Sequence, residues 1–165
     1  MSDIYLNIDG IPGESLEDKH KDWIEVLSFS HNMSQPTSQT RVSAGGGTTG
    51  RAEHGDYVIT KHIDKASPKL WEALSTGKHI GKAKMEFMRA GGDKVKYLEI
   101  SLEEVVISNV SKSGNGGGGS ADDFPVESIS LNYGKVEWTY TQQKRKDGSG
   151  GGNVTAKYDL TTGKN

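Results

Sequence analysis

Short segments in which apolar and polar residues alternate dominate the sequence. In residues 3–9, Ile4, Leu6 and Ile8 share one parity, and a period of two is that of a β-strand with one buried face. The pattern recurs in further segments separated by turn residues: 23–31, 57–64, 82–111, 126–143 and 154–160. The chain is therefore predicted to form about seven antiparallel strands joined mainly by hairpins.

One segment, residues 65–79, instead has helical spacing. Three apolar residues share a face of the predicted helix: Leu70, Trp71 and Leu74. Ser67 is predicted to be the N-cap, with Pro68 at the first helical position. Gly77 is suited to a left-handed C-cap. A helix of two or three turns is unstable alone, so we expect it to pack on the strands.

A slip of parity at Gly134 predicts a β-bulge or kink inside the long segment 126–143. The 165 residues suit one domain, but 32% hydrophobic residues and 22 glycines leave few residues for a core. Several strands also carry one distinctly polar face. The predicted fold is mainly β: an antiparallel β-barrel of two packed sheets, with one short α-helix and a long extended loop, in a single domain spanning 1–165.

Composition and motif searches exclude several classes of function. The net charge is −2, the only basic run is KRK at 144–146, and there is no cysteine, so we expect no nucleic-acid partner, disulfide or thiolate site. The five histidines lack metal-site spacing, and no phosphate-binding, dinucleotide or GxSxG motif is present. No enzymatic activity and no cofactor are predicted. The N-terminal MSDIYLNIDG has no signal-peptide pattern, and no apolar window would insert in a membrane.

Residues 34–56, SQPTSQTRVSAGGGTTGRAEHGD, have no apolar period. A stretch of about 20 residues without structure inside a compact domain indicates a wrong assignment of its elements, a functional loop or disorder. From the residues alone, all three interpretations stay open.

Several segments, taken in order, resemble the Hcp family (haemolysin-coregulated protein), the tube protein of bacterial type VI secretion. The matching segments cover nearly the whole chain: YLNIDGIPGES at 5–15, WIEVLSFSHNMSQP at 23–36, VITKHIDKASPKLWEALSTGKH at 58–79, RAGGDK at 89–94, YLEISLEEVVISNVS at 97–111 and VESISLNYGKVEWTYTQQ at 126–143.

The resemblance implies a small β-barrel subunit that forms a homohexameric ring with a wide channel. Rings would stack into a tube that a contractile sheath propels and a spike protein tips, and small effectors would travel in the lumen. The protein would be cytoplasmic before firing and would then be secreted without a signal peptide.

The resemblance also suggests roles for individual residues. The small, polar parity of the second strand, Ser28 and Ser30, is the predicted lumen and effector-binding surface, with Ser30 at the family's position. The long loop is predicted to contact neighbouring subunits or rings through Arg41, Gly45, Gly46, Gly47, Arg51, Glu53, His54 and Asp56. We expect residues 38–55 to be mobile in an isolated subunit and ordered by assembly.

A second interpretation is a monomeric or dimeric β-sandwich that binds a carbohydrate or peptide. In that case Trp23, Trp71 and Trp138 would form an aromatic platform. The parity of Trp138 and the place of Trp71 on the helical stripe favour core packing instead.

Overall fold

The computed structural model describes residues 2–37, 50–91, 94–116, 124–143 and 150–165. Within these ranges the chain forms strands and one helix in this order: β1 (Ser2–Ile8), β2 (Ile24–Val26), β3 (Ser28–Ser30), β4 (Met33–Ser34), β5 (Glu53–His54), β6 (Tyr57–His62), α1 (Ser67–Thr76), β7 (Ile80–Arg89), β8 (Lys96–Ser113), β9 (Val126–Asn132), β10 (Lys135–Gln143) and β11 (Gly150–Asp159).

The strands pair antiparallel along the path β2-β1-β7-β8-β9-β6-β3, with β10 beside β8 and β11 beside β10. The mainly β class with one short helix is confirmed. The predicted closed barrel is wrong, because over the described residues the path of strand pairing is open and ends at β2 and β3. Leu27 alone connects these two strands, and its amide donates to the Thr60 carbonyl at 2.8 Å. β2 and β3 are thus joined through Leu27, while each pairs with a different strand, β2 with β1 and β3 with β6.

Two long segments bend at one corner and divide the strands into two sheets. The first part of β8 pairs with β7 and β10, and its second part pairs with β9. Glu104, at the bend, has a φ of 54°. Opposite it, β9 ends and β10 begins around Gly134, whose amide donates to the Glu103 carbonyl at 3.0 Å. The kink predicted at Gly134 is confirmed.

Alternate side chains of both sheets meet in one hydrophobic core. The largest fully buried apolar side chains are Leu6, Ile24, Tyr57, Ile59, Leu70, Met85, Phe87, Leu102, Ile107, Ile129 and Leu131. Because successive residues of a strand point to opposite faces, this inward set fixes which residues lie outside.

The helix begins differently from the prediction, because Ala66 and not Ser67 is the N-cap residue. The Asp64 carboxylate accepts from the Ala66 amide at 2.9 Å, which leaves the Ser67 hydroxyl free to turn inward. Ser67 is fully buried and donates to Glu127 Oε1 at 2.5 Å. At the other end, Gly77 has a φ of 64° and forms the predicted left-handed C-cap.

Candidate functional site

The predicted lumen residues Ser28 and Ser30 lie on β3, and both are exposed. They belong to a larger surface, the outward side of β3, β6, β9 and the second part of β8. We call this surface the hydroxyl face; its hydroxyl residues are Ser28, Ser30, Thr60, Ser111, Ser113, Ser128 and Ser130.

Strand register aligns these residues into rows across four strands. One row contains Ser28, Thr60, Ser128 and Ser111. The next row contains Ser30, Val58, Ser130 and Asn109. Neither row contains an ionisable side chain, and directly opposed side chains lie close enough to interact. In the first row, the hydroxyls of Ser28 and Thr60 are hydrogen-bonded to each other.

The charged residues of β6 and β9 point to the opposite side of this sheet. Lys61 and Glu127 are both fully buried, with Lys61 Nζ 2.7 Å from Glu127 Oε1. Trp71 of the helix donates to Glu127 Oε2 at 2.8 Å, and Ser67 also contacts this carboxylate. Burial alone would raise the pKa of Glu127, but hydrogen bonds from Lys61, Ser67 and Trp71 hold it below its usual value. This inward network fixes the helix to the sheet and keeps both charges away from the hydroxyl face.

Asp56 lies at one end of the hydroxyl face and is already engaged by its own chain. Its carboxylate accepts from Ser108 Oγ at 2.5 Å and from Asn132 Nδ2 at 2.9 Å. His62 lies near the other end and is exposed. The uncharged rows are therefore bordered by ionisable groups but contain none.

Two more of the predicted loop residues also contact their own subunit. Arg51 Nη2 donates to the Leu160 carbonyl at 3.0 Å. His54 lies on β5 and stacks on Tyr158, with ring centroids 5.2 Å apart. Glu53 is exposed on the same strand. The other predicted loop residues lie outside the described residues: Arg41, Gly45, Gly46 and Gly47.

Sequence patterns did not reveal a cluster of histidine and aromatic side chains where β4 and β5 meet the body of the subunit. We call it the His31 cluster; it contains His31, His54, Tyr57, Tyr133 and Tyr158. The His31 ring stacks on Tyr57 at 3.7 Å, and its Nε2 lies 2.8 Å from the Tyr133 hydroxyl. These residues come from separate segments, so only the shared inward parity of Tyr57 and Tyr133 could have indicated part of the cluster.

The outward side of the other sheet is charged. We call it the charged face; its residues are Lys82, Lys84, Glu86, Glu99, Glu103, Lys135, Glu137, Lys157 and Asp159. In one row across β7, β8, β10 and β11 the sign alternates along Lys82, Glu103, Lys135 and Asp159. On this face Lys84 Nζ lies 3.3 Å from Glu99 Oε1, and Lys135 Nζ lies 4.0 Å from Asp159 Oδ2.

The three tryptophans make separate contacts. The Trp71 indole donates to Glu127, and the Trp138 indole donates to the Tyr57 hydroxyl at 2.9 Å. Trp23 packs edge-on against His20. These contacts place the indoles against three different partners, which is typical of core packing.

Over the described parts of the chain, no group of three or more potential metal ligands comes together. None of the described helices is both long enough and apolar enough to cross a bilayer.

Comparison with known proteins identifies the family. A family model described as "Type VI secretion system effector, Hcp" matches residues 5–140. The chain is 39% identical to "Protein hcp1" of Pseudomonas aeruginosa over 96% of this chain and 94% of that protein. It is 30% identical to the "Major exported protein" of the same species, over 78% of this chain and 74% of that protein.

Solved structures agree with the sequence comparison. A structure described as that of a type six secretion system protein superposes with a TM-score of 0.91 at 33% identity, covering 99% of both chains. With a family match over most of its length, this chain belongs to the Hcp family of type VI secretion proteins.

Proposed function

We propose that this chain is a structural subunit of the type VI inner tube, one domain over its whole length, and that homohexameric rings stack into the tube. In this proposal the hydroxyl face lines the channel. The observation that carries it is the pair of uncharged rows on an outward sheet face, in a chain whose other sheet presents alternating charges. No enzymatic step is part of this function.

The chemistry of the hydroxyl face suits a channel that carries folded proteins. Serine and threonine side chains are short, so they leave the channel wide. Each hydroxyl both donates and accepts hydrogen bonds. Because the two rows through Ser28 and Ser30 carry no charge, cargo of either sign avoids strong attraction or repulsion there. We therefore assign small effectors to the lumen and contact with them to Ser28 and Ser30.

Export of the chain is part of the proposed role as a tube subunit. The "Major exported protein" is exported according to its name. We propose that this chain is likewise exported, from the cytoplasm, by a contractile sheath acting on the tube behind a spike protein.

The long loop would make contacts between subunits or rings. Arg51, His54 and Asp56 already bind their own subunit, so they are better suited to anchor the loop than to reach a neighbour. Glu53 is exposed, so its side chain can reach a neighbouring subunit. We assign the contacts to Glu53 and to the segment that contains Arg41, Gly45, Gly46 and Gly47. Deleting about ten residues around Gly46 should leave a folded subunit and impair assembly, since loops tolerate changes in length thermodynamically.

The experiment combines light scattering with retention of a co-expressed small effector protein. The wild-type mass should be about six times the 17.8 kDa of one chain. Ser30→Glu should keep that mass and lose effector retention. Thr139→Glu is the matched control, because Thr139 and Thr155 form the equivalent hydroxyl pair on the other sheet, 3.3 Å apart.

Three results would contradict the proposal. A clean monomer or dimer at high concentration would favour the ligand-binding β-sandwich. Loss of rings in Ser30→Glu would place Ser30 in an interface. Equal loss of effector retention in Ser30→Glu and Thr139→Glu would mean that the hydroxyl face is not the surface that contacts the effector.

A further inference from the structure

We propose that the His31 cluster is a pH-sensitive clasp that holds the β4–β5 ribbon on the body of the subunit and opens in acid. It does not depend on ring formation. It rests on two histidines from different segments that meet where the ribbon joins the two sheets.

His31 is packed into the aromatic cluster. Its ring stacks on Tyr57 with the centroids 3.7 Å apart, and its Nε2 lies 2.8 Å from the Tyr133 hydroxyl. A hydrogen bond with the backbone of Gly55 raises the pKa of His31 and only partly opposes the effect of burial. Burial is the main cause that lowers the pKa of His31, and the nearby His54 lowers it further.

His54 contributes the contact of the ribbon with β11. It lies on β5 and stacks on Tyr158 with the two planes 9° apart. Its Nδ1 is buried and, among the residues that the structure describes, has no hydrogen-bond partner.

The other ionisable groups around the cluster are three tyrosines, Asp56 and Arg51. Burial raises the pKa of both Tyr57 and Tyr133, so neither phenol ionises in this range. Tyr158 stacks on His54 from β11. The Asp56 carboxylate accepts from Ser108 and Asn132 and helps to raise the pKa of Tyr133, and Arg51, which reaches Leu160, is a cation. A proton on His31 would lie in a largely aromatic setting, where burial and His54 lower the pKa of His31.

The sign of the pH effect follows from the lowered pKa of His31. Above the ordinary histidine value of about 6.5 both the closed and the opened ribbon hold a neutral ring. As the pH falls below that value, the opened state takes up protons first, so closure weakens.

The ribbon has only a short ladder over the residues that the structure describes. β4 and β5 pair over two residues each, Met33 with His54 and Ser34 with Glu53. Beside them, the Gly55 amide donates to the Asn32 carbonyl at 2.8 Å. Arg51 also joins this segment to the body through the Leu160 carbonyl, and the cluster adds the aromatic contacts at the base of the ribbon.

Hydrogen–deuterium exchange of the full chain at pH 7.5 and pH 5.5 tests the clasp, with protection normalised to the intrinsic exchange rate. Peptides within 27–37 and 50–56 should lose between about twofold and tenfold in protection at pH 5.5, the upper limit being set by an opened-state His31 with a pKa near 6.5. Peptides from β7 should not change. His54→Phe keeps a stack on Tyr158 and should reduce the loss, and His31→Phe with His54→Phe should abolish it.

His62→Gln is the matched control, because His62 is exposed on β6 outside the cluster; it should behave as the wild type. Equal protection at both pH values in the wild type would overturn the proposal. So would an undiminished pH effect in both His54→Phe and the double variant. If the double variant fails to fold, as judged from its thermal unfolding at pH 7.5, His54→Phe alone decides.

Discussion

The hydroxyl face and the charged face are built alike and differ in what they present. Both are outward sides of antiparallel sheets over the same core, with inward residues at alternate positions. Register places Lys82, Glu103, Lys135 and Asp159 in one row of the charged face, where neighbouring signs attract. The two rows of the hydroxyl face that pass through Ser28 and Ser30 contain no ionisable side chain. Strand periodicity thus determines which residues lie outside, and their chemistry distinguishes a surface suited to open solvent from one suited to a shared channel.

The two sheets also differ in where their ion pairs lie. The pair Lys84 and Glu99 lies on the charged face and is partly exposed. Lys61 and Glu127 lie behind the hydroxyl face and are fully buried. A buried pair is costly to break, because the remaining charge has no solvent, whereas an exposed pair contributes little.

The largest effect is expected from breaking the buried pair. Glu127→Ala removes the acceptor for Lys61, Ser67 and Trp71 and should lower the free energy of unfolding by about 3–5 kcal/mol. Urea denaturation at pH 7 measures this. Combining Lys61→Met with Glu127→Leu should recover much of the loss, since an apolar pair needs no counter-charge. If the single variant were as stable as the wild type, the network would not anchor the helix.

A smaller effect is expected at the corner that joins the two sheets. A Cβ on Gly134 would lie 2.5 Å from Glu104 Oε2 and 3.1 Å from its Cβ. Gly134→Ala should therefore cost about 1–3 kcal/mol of unfolding free energy. Because the clash involves a side chain, adding Glu104→Ala should restore part of the lost unfolding free energy. Gly152→Ala on β11, where nothing lies within 4 Å of the new Cβ, should be nearly neutral. An equal loss of unfolding free energy in Gly152→Ala would mean that the loss in Gly134→Ala does not come from crowding at the corner.

Acid should weaken the buried pair selectively. The pKa of Glu127 is held below its usual value by its donors, so this contribution is complete above the unfolded-state pKa near 4.5 and is lost as the pH falls through the folded-state pKa. Each unit of that lowering corresponds to about 1.4 kcal/mol. Denaturation midpoints between pH 7 and pH 3 should fall more steeply for the wild type than for the variant with Lys61→Met and Glu127→Leu. Parallel curves would contradict this.

The smallest effect is expected on the charged face. Lys84→Ala removes a partly exposed ion pair with Glu99 and should change the unfolding free energy by less than about 1 kcal/mol. The difference from wild type should shrink further in high salt, because exposed pairs are screened. A loss of unfolding free energy as large as that of Glu127→Ala would contradict the expected difference between the exposed pair and the buried pair.

Local patterns predicted the parts of the fold that depend on neighbouring residues. Parity placed Ser28 and Ser30 outside, and the slip at Gly134 located the corner. Gly77 was recognised as a C-cap because its role needs only its own backbone. The alternation along β6 also predicted that Lys61 lies on the same inward side as Tyr57. It did not predict that Glu127 would be the partner of the Lys61 charge.

Features set by distant segments were not predictable in this way. The pairing of Lys61 with Glu127 joins β6 and β9, and it explains why Ser67 turns inward and does not cap the helix. Val154 has apolar parity on β11 yet is 69% exposed. Its partner Tyr140 is also exposed, so this end of the hairpin extends past the core.

Electron microscopy of assembled rings carrying a gold-labelled cysteine would show which sheet face lines the channel, since the chain has no cysteine of its own. Ser30→Cys places the label on the hydroxyl face, and Thr139→Cys places it on the opposite sheet. If the hydroxyl face lines the channel, label density should lie inside the ring for Ser30→Cys and outside the channel for Thr139→Cys. Label from Ser30→Cys at the outer edge of the ring, or rings without a channel, would contradict it.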